Sequence, residues 1–453
     1  MHLSSTDADI VNIDSIKRRT INGHVSKIPR SKISQTDDLE ELSGMISAAA
    51  KRFTQRLEAL DLPLPDLKNP FPDPIADAAA QEAKVKIVQA CERMMALVLG
   101  PTEWFMYQNM SFVDPACVAT AQRMGLFEHI TVGDDPTSLA DLAEKTGADV
   151  DIIERVLRVL TQRLCFEEVE QGMYQHNAVS QQLMIPPIAS LIAFCTDDGF
   201  KSAAFMADTL EEQKFQAVHD PAKSSFSKAY RTELGMFDYF KNDRHRGDRF
   251  AFAMAGSEMV KALTEEVYPF DELPKDATVV DVGGGVGSVS IRIAEKIDRL
   301  FFIVQDQQEV VNVAINSGSN QGIEDRVKFQ GHNFFETQPV KGADVYLFRF
   351  ILHDHPDDKC AKILRNIVEA MVPGKSRILI DDAVVPDLLG PDMIRFHNLM
   401  DIHMLTILNA KERTHRQWQK LVTEVDSRLY IERIWEQSDA GLQGGRVIEL
   451  RLK

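Results

Sequence analysis

The stretch Val279-Val280-Asp281-Val282-Gly283-Gly284-Gly285-Val286-Gly287 decides the fold of this 453-residue chain. It places an apolar strand before a glycine-rich turn, and residues 288–297 continue with the pattern of a helix. Glycines are needed where a chain turns sharply and a ligand touches its backbone, because a Cβ would block that approach. Amide groups at the start of the helix favour an anionic group such as a carboxylate. The stretch therefore predicts a ligand site at the end of a strand.

The sequence after this stretch predicts a doubly wound α/β domain. Short β-branched runs alternate there with helical patterns, as strands and crossover helices do in such a domain. We expect the last two of seven strands to form an antiparallel edge, because they lie closest together in sequence. The predicted strands are 278–282, 301–304, 327–330, 344–349, 377–381, 429–435 and 446–452.

Asp306 supplies the second part of the predicted ligand site. It follows the second predicted strand, 21 residues after Gly285, where a carboxylate can accept hydrogen bonds from both hydroxyls of a ribose. The D-x-G-x-G-x-G spacing of residues 281–287 differs from the G-x-G-x-x-G pattern of dinucleotide sites, because Ser288 stands three positions after Gly285. A nicotinamide cofactor is an alternative that this spacing disfavours.

The residues before this domain predict a mostly helical region. Two short helices about Gly147 are followed by a hairpin about Gly172, which is a winged-helix arrangement. A proline-rich stretch precedes this unit, with a helix expected around 39–60. The predicted segments are an extension or linker at 1–75, a winged-helix-like dimerisation domain at 76–190, a helical connector contributing to a substrate pocket at 191–270, and a catalytic domain at 271–453.

Charge disfavours a nucleic-acid partner for the winged-helix unit. The chain has a net charge of −17, and residues 103–170 contain 13 acidic and 5 basic side chains. A protein with this charge repels phosphate backbones, and no basic patch offsets the repulsion. We therefore favour a packing or dimerisation role for this unit.

Neither a membrane segment nor a secretory signal is expected. The apolar stretches fall far short of the roughly 20 residues that span a bilayer, and the N-terminus lacks a basic start and an apolar run. The five cysteines are widely spaced, without a C-x-x-C pair. We expect a cytoplasmic protein with reduced thiols.

His353 is the candidate general base. It follows the fourth predicted strand, at the sheet edge where ligands bind in open α/β sheets. A neutral imidazole suits proton removal near neutral pH. A phenol, with a pKa of about 10, needs such a base because it is a poor nucleophile while it is protonated.

Carboxylates on two other segments are candidates for orienting this histidine. Asp381 and Asp382 end a neighbouring strand, and Glu412 lies in the tetrapeptide K-E-R-T. A carboxylate on the far ring nitrogen would fix the tautomer and stabilise the imidazolium. The cluster of histidines and aspartates at 353–358 also resembles a metal site, but adjacent ligands on one loop seldom converge. We expect no metal.

These motifs together resemble the class I S-adenosylmethionine-dependent methyltransferases, with their Rossmann-like sheet. More narrowly, residues 83–453 resemble the caffeate/flavonoid-type plant O-methyltransferases and their fungal secondary-metabolite relatives. The resemblance implies a homodimer, formed through the N-terminal domain, that methylates a hydroxyl of a small aromatic molecule. It implies catalytic roles for His353, Asp382 and Glu412, cofactor contacts for Asp281, Gly283, Gly285, Asp306, Asn333, Phe334 and Arg349, and substrate contacts for Phe252, Met254 and Met404.

Three residues depart from the family pattern. Asp382, four residues before Pro386, replaces the usual glutamate and is shorter by a methylene, so Asp381 could substitute for it. Arg349 stands for a lysine and Asn333 for an aspartate. Two alternatives remain: a cyclase or pericyclase that binds S-adenosylmethionine on this fold without transferring methyl, and a non-enzymatic dimerisation protein.

Overall fold

A computed structural model describes residues 38–71, 75, 77–133, 135–260, 263–385, 396–437 and 445–453. The described α-helices are Leu39–Ala59, Ala78–Met110, Val113–Met124, Leu126–His129, Leu139–Thr146, Val150–Gln162, Ala178–Gln181, Pro186–Phe194, Phe200–Ala204, Met206–Glu212, Ser225–Tyr230, Met236–Asn242, Arg244–Met259, Thr264–Val267, Ser288–Lys296, Gln308–Ser317, Asp357–Val368, Phe396–Leu408 and His415–Val425. The described strands are β1 (Thr137–Ser138), β2 (Glu167–Glu170), β3 (Met173–Gln175), β4 (Thr278–Val282), β5 (Phe301–Asp306), β6 (Val327–Gly331), β7 (Val345–Arg349), β8 (Arg377–Asp381), β9 (Val384–Val385), β10 (Arg413–Thr414), β11 (Leu429–Gln437) and β12 (Gly445–Leu452).

The helix expected around 39–60 is present as Leu39–Ala59. Leu39–Ala59 begins at the N-cap Asp38 and packs against Ala78–Met110. Arg56 Nε donates a hydrogen bond to Asp77 Oδ1 at 3.1 Å. The two helices and the segment between them share a small apolar cluster, which holds Leu39–Ala59 against Ala78–Met110. Residues 1–37 lie outside the described residues.

The winged-helix arrangement is confirmed. Gly147 ends the helix Leu139–Thr146 in the left-handed conformation, and Val150–Gln162 follows. β2 and β3 pair antiparallel, and β1 pairs with β3. The apolar side chains of these helices form one cluster of buried and partly buried residues.

The connector is helical and shares a core with the C-terminal part of the chain. A π-helical turn, Cys195–Gly199, interrupts it between two α-helices. Phe194, Phe226 and Phe240 pack with Met404 of the helix Phe396–Leu408. This shared core fixes the connector against a helix of the catalytic half. The domain boundaries given above stay predictions.

The C-terminal part contains the predicted seven-stranded sheet, in the order β11-β12-β8-β7-β4-β5-β6. The five strands from β8 to β6 in this order pair parallel, whereas β12 runs antiparallel to both β8 and β11. The antiparallel edge is thus confirmed. β5 and β11 extend two residues beyond their predicted ends.

The strand order places the functional residues at a topological switch point. The chain moves outward from β4 to β5 and β6, and then returns to place β7 on the other side of β4. Crevices of this kind, at the carboxyl ends of the strands, bind ligands in open α/β sheets. The glycine turn follows β4, the turn that carries His353 follows β7, and Asp382 follows β8.

No single helix among the described residues is both long and apolar enough to cross a bilayer. The bent pair Ala178–Met184 and Pro186–Glu212 resembles a membrane span in length and composition only.

Candidate active site

The glycine turn leaves its backbone open at one point. Gly283 and Gly285 have φ values of 78° and 59°, in the left-handed region that favours glycine. A Cβ on Gly283 would lie 2.5 Å from Cδ1 of Ile351, whereas a Cβ on Gly285 would meet no atom within 4 Å. Gly283 is therefore required by close packing, and Gly285 borders space that a ligand can enter.

Asp281 supports the glycine turn from within the protein interior. Its side chain is buried, and Oδ2 accepts a hydrogen bond from Ser290 Oγ at 2.7 Å, which ties β4 to the following helix. Burial raises the pKa of Asp281 to about 6, although the bond from Ser290 opposes the shift and the nearby Asp306 adds to it. We conclude that Asp281 shapes the site, because only 2% of its surface is exposed to a ligand.

Asp306 faces the glycine turn from the end of β5. Its Oδ2 accepts a hydrogen bond from Gly285 N–H at 2.9 Å, and its Oδ1 accepts one from Gln307 N–H at 2.7 Å. Burial raises the pKa of Asp306, and both backbone bonds oppose that shift. Each carboxylate oxygen keeps a second acceptor position, as a ribose diol requires.

A cavity of about 560 Å³ lies beside Asp306 and is lined in part by Asn333 and Phe334. Asn333 Oδ1 accepts from Phe335 N–H at 3.1 Å, which fixes the loop, and the asparagine itself is exposed. The ring of Phe334 lies edge-on to His355 at 5.7 Å. A diol acceptor, an aromatic wall and an open glycine backbone fit the adenosine part of S-adenosylmethionine.

Arg349, which ends β7, is paired with two carboxylates, and its predicted contact with the cofactor stays a prediction. Its side chain is almost fully buried, Nε donates to Asp381 Oδ2 at 3.0 Å, and Nη1 pairs with Glu258. The guanidinium also stands over the ring of Phe350 at 5.1 Å. Arg349 therefore links β7 to β8 and to the helix Arg244–Met259 through its ion pairs with Asp381 and Glu258.

His353 sits in a short 3₁₀ turn, Leu352–Asp354, directly after β7. The imidazole is buried, and its Nδ1 lies 2.9 Å from Glu412 Oε1. Its Nε2 lies 3.5 Å from Asp354 Oδ1. Burial alone would lower the pKa of His353, but the negative charges of Asp354, Glu412 and Asp382 outweigh it and raise the pKa to about 9.

Two further residues, Arg413 and Asp401, fix the positions of His353 and Glu412 through hydrogen bonds to the backbone around them. Arg413 is fully buried and donates to the carbonyls of Leu352 at 2.8 Å and His355 at 2.7 Å, on either side of the base. Asp401 Oδ1 accepts from Glu412 N–H at 2.9 Å. Arg413 lies in K-E-R-T, but sequence alone does not reveal that an arginine is buried.

Asp382 does not contact His353 through a hydrogen bond. Both of its carboxylate oxygens are buried without a hydrogen-bond partner among the described residues. Burial raises the pKa of Asp382 to about 7, although the charge of His353 opposes the shift. Asp381 does not substitute, because its Oδ2 accepts from Arg349 and from Thr264. Of the two predicted orienting carboxylates, only Glu412 bonds the base; Pro386 lies outside the described residues.

The three predicted substrate residues lie on two helices, and their contact with a substrate stays a prediction. Phe252 and Met254 lie on the helix Arg244–Met259 with exposed side chains, whereas Met404 is buried in the core shared with the connector. The same helix as Met404 carries His403, which no sequence motif singled out. The available sequence signal was its position, eight residues before the K-E-R-T tetrapeptide that begins at Lys411.

The side chains of the 353–358 cluster diverge. Asp357 pairs with Lys411 and Arg413, and His355 packs against the ring of Phe335 at 5.4 Å. Among the described residues, no group of three or more histidine, cysteine, aspartate or glutamate side chains is arranged to hold a metal ion. A reaction without metal stays a prediction.

Comparisons with known proteins agree with this geometry. Residues 107–185 match the O-methyltransferase dimerisation domain, and residues 206–426 match the O-methyltransferase domain. The chain is 50% identical over 423 residues to O-methyltransferase xanE of Aspergillus fumigatus, covering 93% of this chain and 98% of that protein. It is 41% identical over 372 residues to sterigmatocystin 8-O-methyltransferase of Aspergillus flavus, covering 81% and 87%.

Solved structures share the fold at lower identity. OxaC in complex with S-adenosylhomocysteine and oxaline has a TM-score of 0.76 at 24% identity, covering 91% of this chain and 98% of that one. A pericyclic reaction enzyme has a TM-score of 0.70 at 23% identity, covering 91% and 100%. This second likeness concerns the fold alone, so it does not favour the pericyclase alternative over methylation. The chain belongs to the class I S-adenosylmethionine-dependent O-methyltransferases of the fungal secondary-metabolite branch.

Proposed function

We propose that this enzyme methylates a phenolic hydroxyl of a small aromatic, polyketide-type metabolite, with His353 as the general base. The observation that carries the proposal is the buried pair of His353 Nδ1 and Glu412 Oε1 at 2.9 Å, at the carboxyl end of β7. One relative is named for the 8-O-methylation of sterigmatocystin. Sterigmatocystin is therefore the first acceptor to test.

The residues of the chain divide the work between alignment and proton removal. When bound, S-adenosylmethionine supplies a methyl group already activated by the sulfonium charge. Asp306, Asn333 and Phe334 would hold the cofactor. His353 Nε2 takes the phenolic proton as the methyl transfers. Glu412, which is bonded to Nδ1, stabilises the imidazolium that results.

The raised pKa of His353 sets a condition on this mechanism. A base with a pKa of about 9 is mostly protonated at neutral pH and must lose that proton before it can act. A bound cation near the ring disfavours the imidazolium. We therefore expect that loading the site with cofactor lowers the pKa of His353, so that the base is freed once the cofactor is in place.

The proposal also includes a homodimer formed through the N-terminal domain, without a nucleic-acid or membrane partner, in the cytoplasm. It is supported by the match of residues 107–185 to the dimerisation domain and by the acidic charge of that unit. Light scattering of the full chain would test the dimer.

Transfer of labelled methyl tests the function directly. The purified enzyme is incubated with methyl-labelled S-adenosylmethionine and with sterigmatocystin or a panel of phenols, and the product is located by mass spectrometry. His353→Ala should lose at least about 100-fold in kcat/KM, the lower range of general-base contributions. His219→Ala, which alters an exposed histidine 3.4 Å from Asp358, should behave as wild type. Equal activity of His353→Ala and wild type would rule out this base.

A further inference from the structure

A second histidine, His403, lies close enough to the proposed base for the charge of His353 to act on it. His403 lies on the helix Phe396–Leu408, which packs against both the turn that contains His353 and the π-helical turn Cys195–Gly199. Its imidazole is half-buried and lies edge-on to the ring of Phe194 at 5.7 Å. Among the described residues, its ring nitrogens have no hydrogen-bond partner.

Gly199 makes room for this imidazole. A Cβ at position 199 would lie 2.8 Å from Cε1 of His403, closer than real Cβ atoms approach, and 3.3 Å from its Nδ1, which is tighter than most real contacts. The glycine ends a π-helical turn, and such turns are uncommon and concentrate at functional sites. The backbone here is thus shaped around the histidine.

Buried ion pairs hold the π-helical turn in this shape. Asp197 and Asp198 lie inside it and are almost completely buried. Arg246 Nη1 donates to Asp197 Oδ2 at 3.0 Å, and Arg249 Nη2 donates to the same oxygen at 2.9 Å. Both arginines also pair with Asp198. Buried charges are costly unless they are paired in this way, so the position of Gly199 opposite His403 is firmly set.

His403 is neutral over the working pH range. Burial lowers its pKa to about 4, and the positive charge of His353 acts in the same direction. One ring nitrogen therefore donates a hydrogen bond and the other accepts one. A neutral imidazole of this kind can exchange hydrogen bonds with a hydroxyl group or donate one to a carbonyl group.

We propose that His403 binds the acceptor substrate, exchanging a hydrogen bond with a second oxygen ortho or peri to the hydroxyl that is methylated. The proposal rests on the proposed function. It names the substrate class more closely, as phenols that carry a neighbouring hydroxyl or carbonyl. When such an acceptor covers the half-buried imidazole, a substrate without the second oxygen leaves it unpaired, and sites of this kind discriminate strongly against the deficient analogue.

Two pairs of phenols that differ only by the second hydroxyl provide the test: 1,8-dihydroxynaphthalene with 1-naphthol, and 2,3-dihydroxynaphthalene with 2-naphthol. kcat/KM for methyl transfer and binding to the enzyme saturated with S-adenosylhomocysteine are measured for each. Wild type should prefer the dihydroxy member of at least one pair. His403→Leu should lose about tenfold for that member and change less than about twofold for its monohydroxy partner, as expected for one hydrogen bond.

Three further variants separate this role from packing. His403→Gln keeps donor and acceptor atoms and should restore part of the preference. Gly199→Ala should weaken the preference, because the new methyl group displaces the imidazole. Met400→Leu, one turn earlier on the same helix, alters packing without removing a polar group and should leave the preference unchanged.

The outcomes distinguish this proposal from the proposed function. Methylation of the phenols with an unchanged preference in His403→Leu, or with equal losses for both members of a pair, overturns the role of His403 alone. Failure of wild type to methylate or bind any of the four phenols overturns the phenolic acceptor and the role of His403 together. If His403→Leu does not fold, the preferences of His403→Gln and Gly199→Ala decide.

Discussion

Replacing Glu412 by glutamine should move the pH profile of the enzyme toward acid. The substitution keeps a hydrogen-bonding group 2.9 Å from His353 Nδ1 and removes its charge. The environment raises the pKa of His353 from 6.5 to about 9, which corresponds to about 3 kcal/mol in favour of the imidazolium. Asp354, Glu412 and Asp382 all raise the pKa of His353. A single opposite charge at close range shifts a pKa by about 1 to 3 units.

The sign of the effect follows from the protonation state that reacts. Neutral His353 is the active form, so kcat/KM rises with pH as the imidazolium loses its proton. Loss of the Glu412 charge lowers the pKa of His353, and the acid limb of the profile should move down by about 1 to 3 pH units. The plateau should also fall by about 100-fold or more, because the imidazolium formed during transfer is no longer stabilised and the tautomer is no longer fixed.

Initial rates of labelled methyl transfer between pH 5.5 and 10, at saturating cofactor, measure both quantities. Glu412→Asp keeps the charge and should keep the acid limb near that of wild type. Asp358→Asn removes the carboxylate of the exposed pair with His219 and serves as the matched control, with an unchanged profile expected. An acid limb of Glu412→Gln that coincides with wild type, or that moves to higher pH, would refute the reasoning.

Two further predictions concern the other carboxylates of the site. Asp306→Asn should weaken binding of S-adenosylhomocysteine about tenfold or more in isothermal titration calorimetry, because the ribose loses a charged acceptor; an unchanged dissociation constant would contradict this role. Asp382 has a folded-state pKa of about 7, above its unfolded value of 3.8, so its ionisation destabilises the fold progressively as pH rises from 3.8 through 7. Asp382→Asn should therefore increase the free energy of unfolding at pH 8.5, by up to about 4 kcal/mol, and by much less at pH 5; equal effects at the two pH values in urea titrations would contradict it.

Much of the catalytic half follows from local sequence patterns. The glycine turn after β4 was predictable because only glycine relieves the steric conflict at φ values such as 78° at Gly283. The strands were predictable because buried parallel strands are continuous apolar runs. Glu412 was expected beside His353 through the family motif alone, and the structure places the two side chains in contact.

The contacts between distant segments could not be predicted in this way. The sequence predicts a hydrogen bond between Asp382 and His353. Whether the aspartate reaches the imidazole depends on a length of about one methylene group, which the sequence does not reveal. In the structure, the Asp382 oxygens have no hydrogen-bond partner among the described residues. The contact of Arg349 with Glu258, a residue 91 positions away, could not be read from local patterns. The same holds for the exposure of Phe252 and Met254 on the helix Arg244–Met259.

Neighbours along the chain are enough to specify the order of the elements, the acidic character of the winged-helix unit and the nature of the cofactor turn. Which side chains meet His353, and how far its pKa moves, depend on the folded arrangement, since burial and the charges of Asp354, Glu412 and Asp382 act through space. The close approach of Gly199 and His403 also depends on the folded arrangement. No local pattern in the sequence links these two residues, and they meet because a π-helical turn packs against the helix Phe396–Leu408.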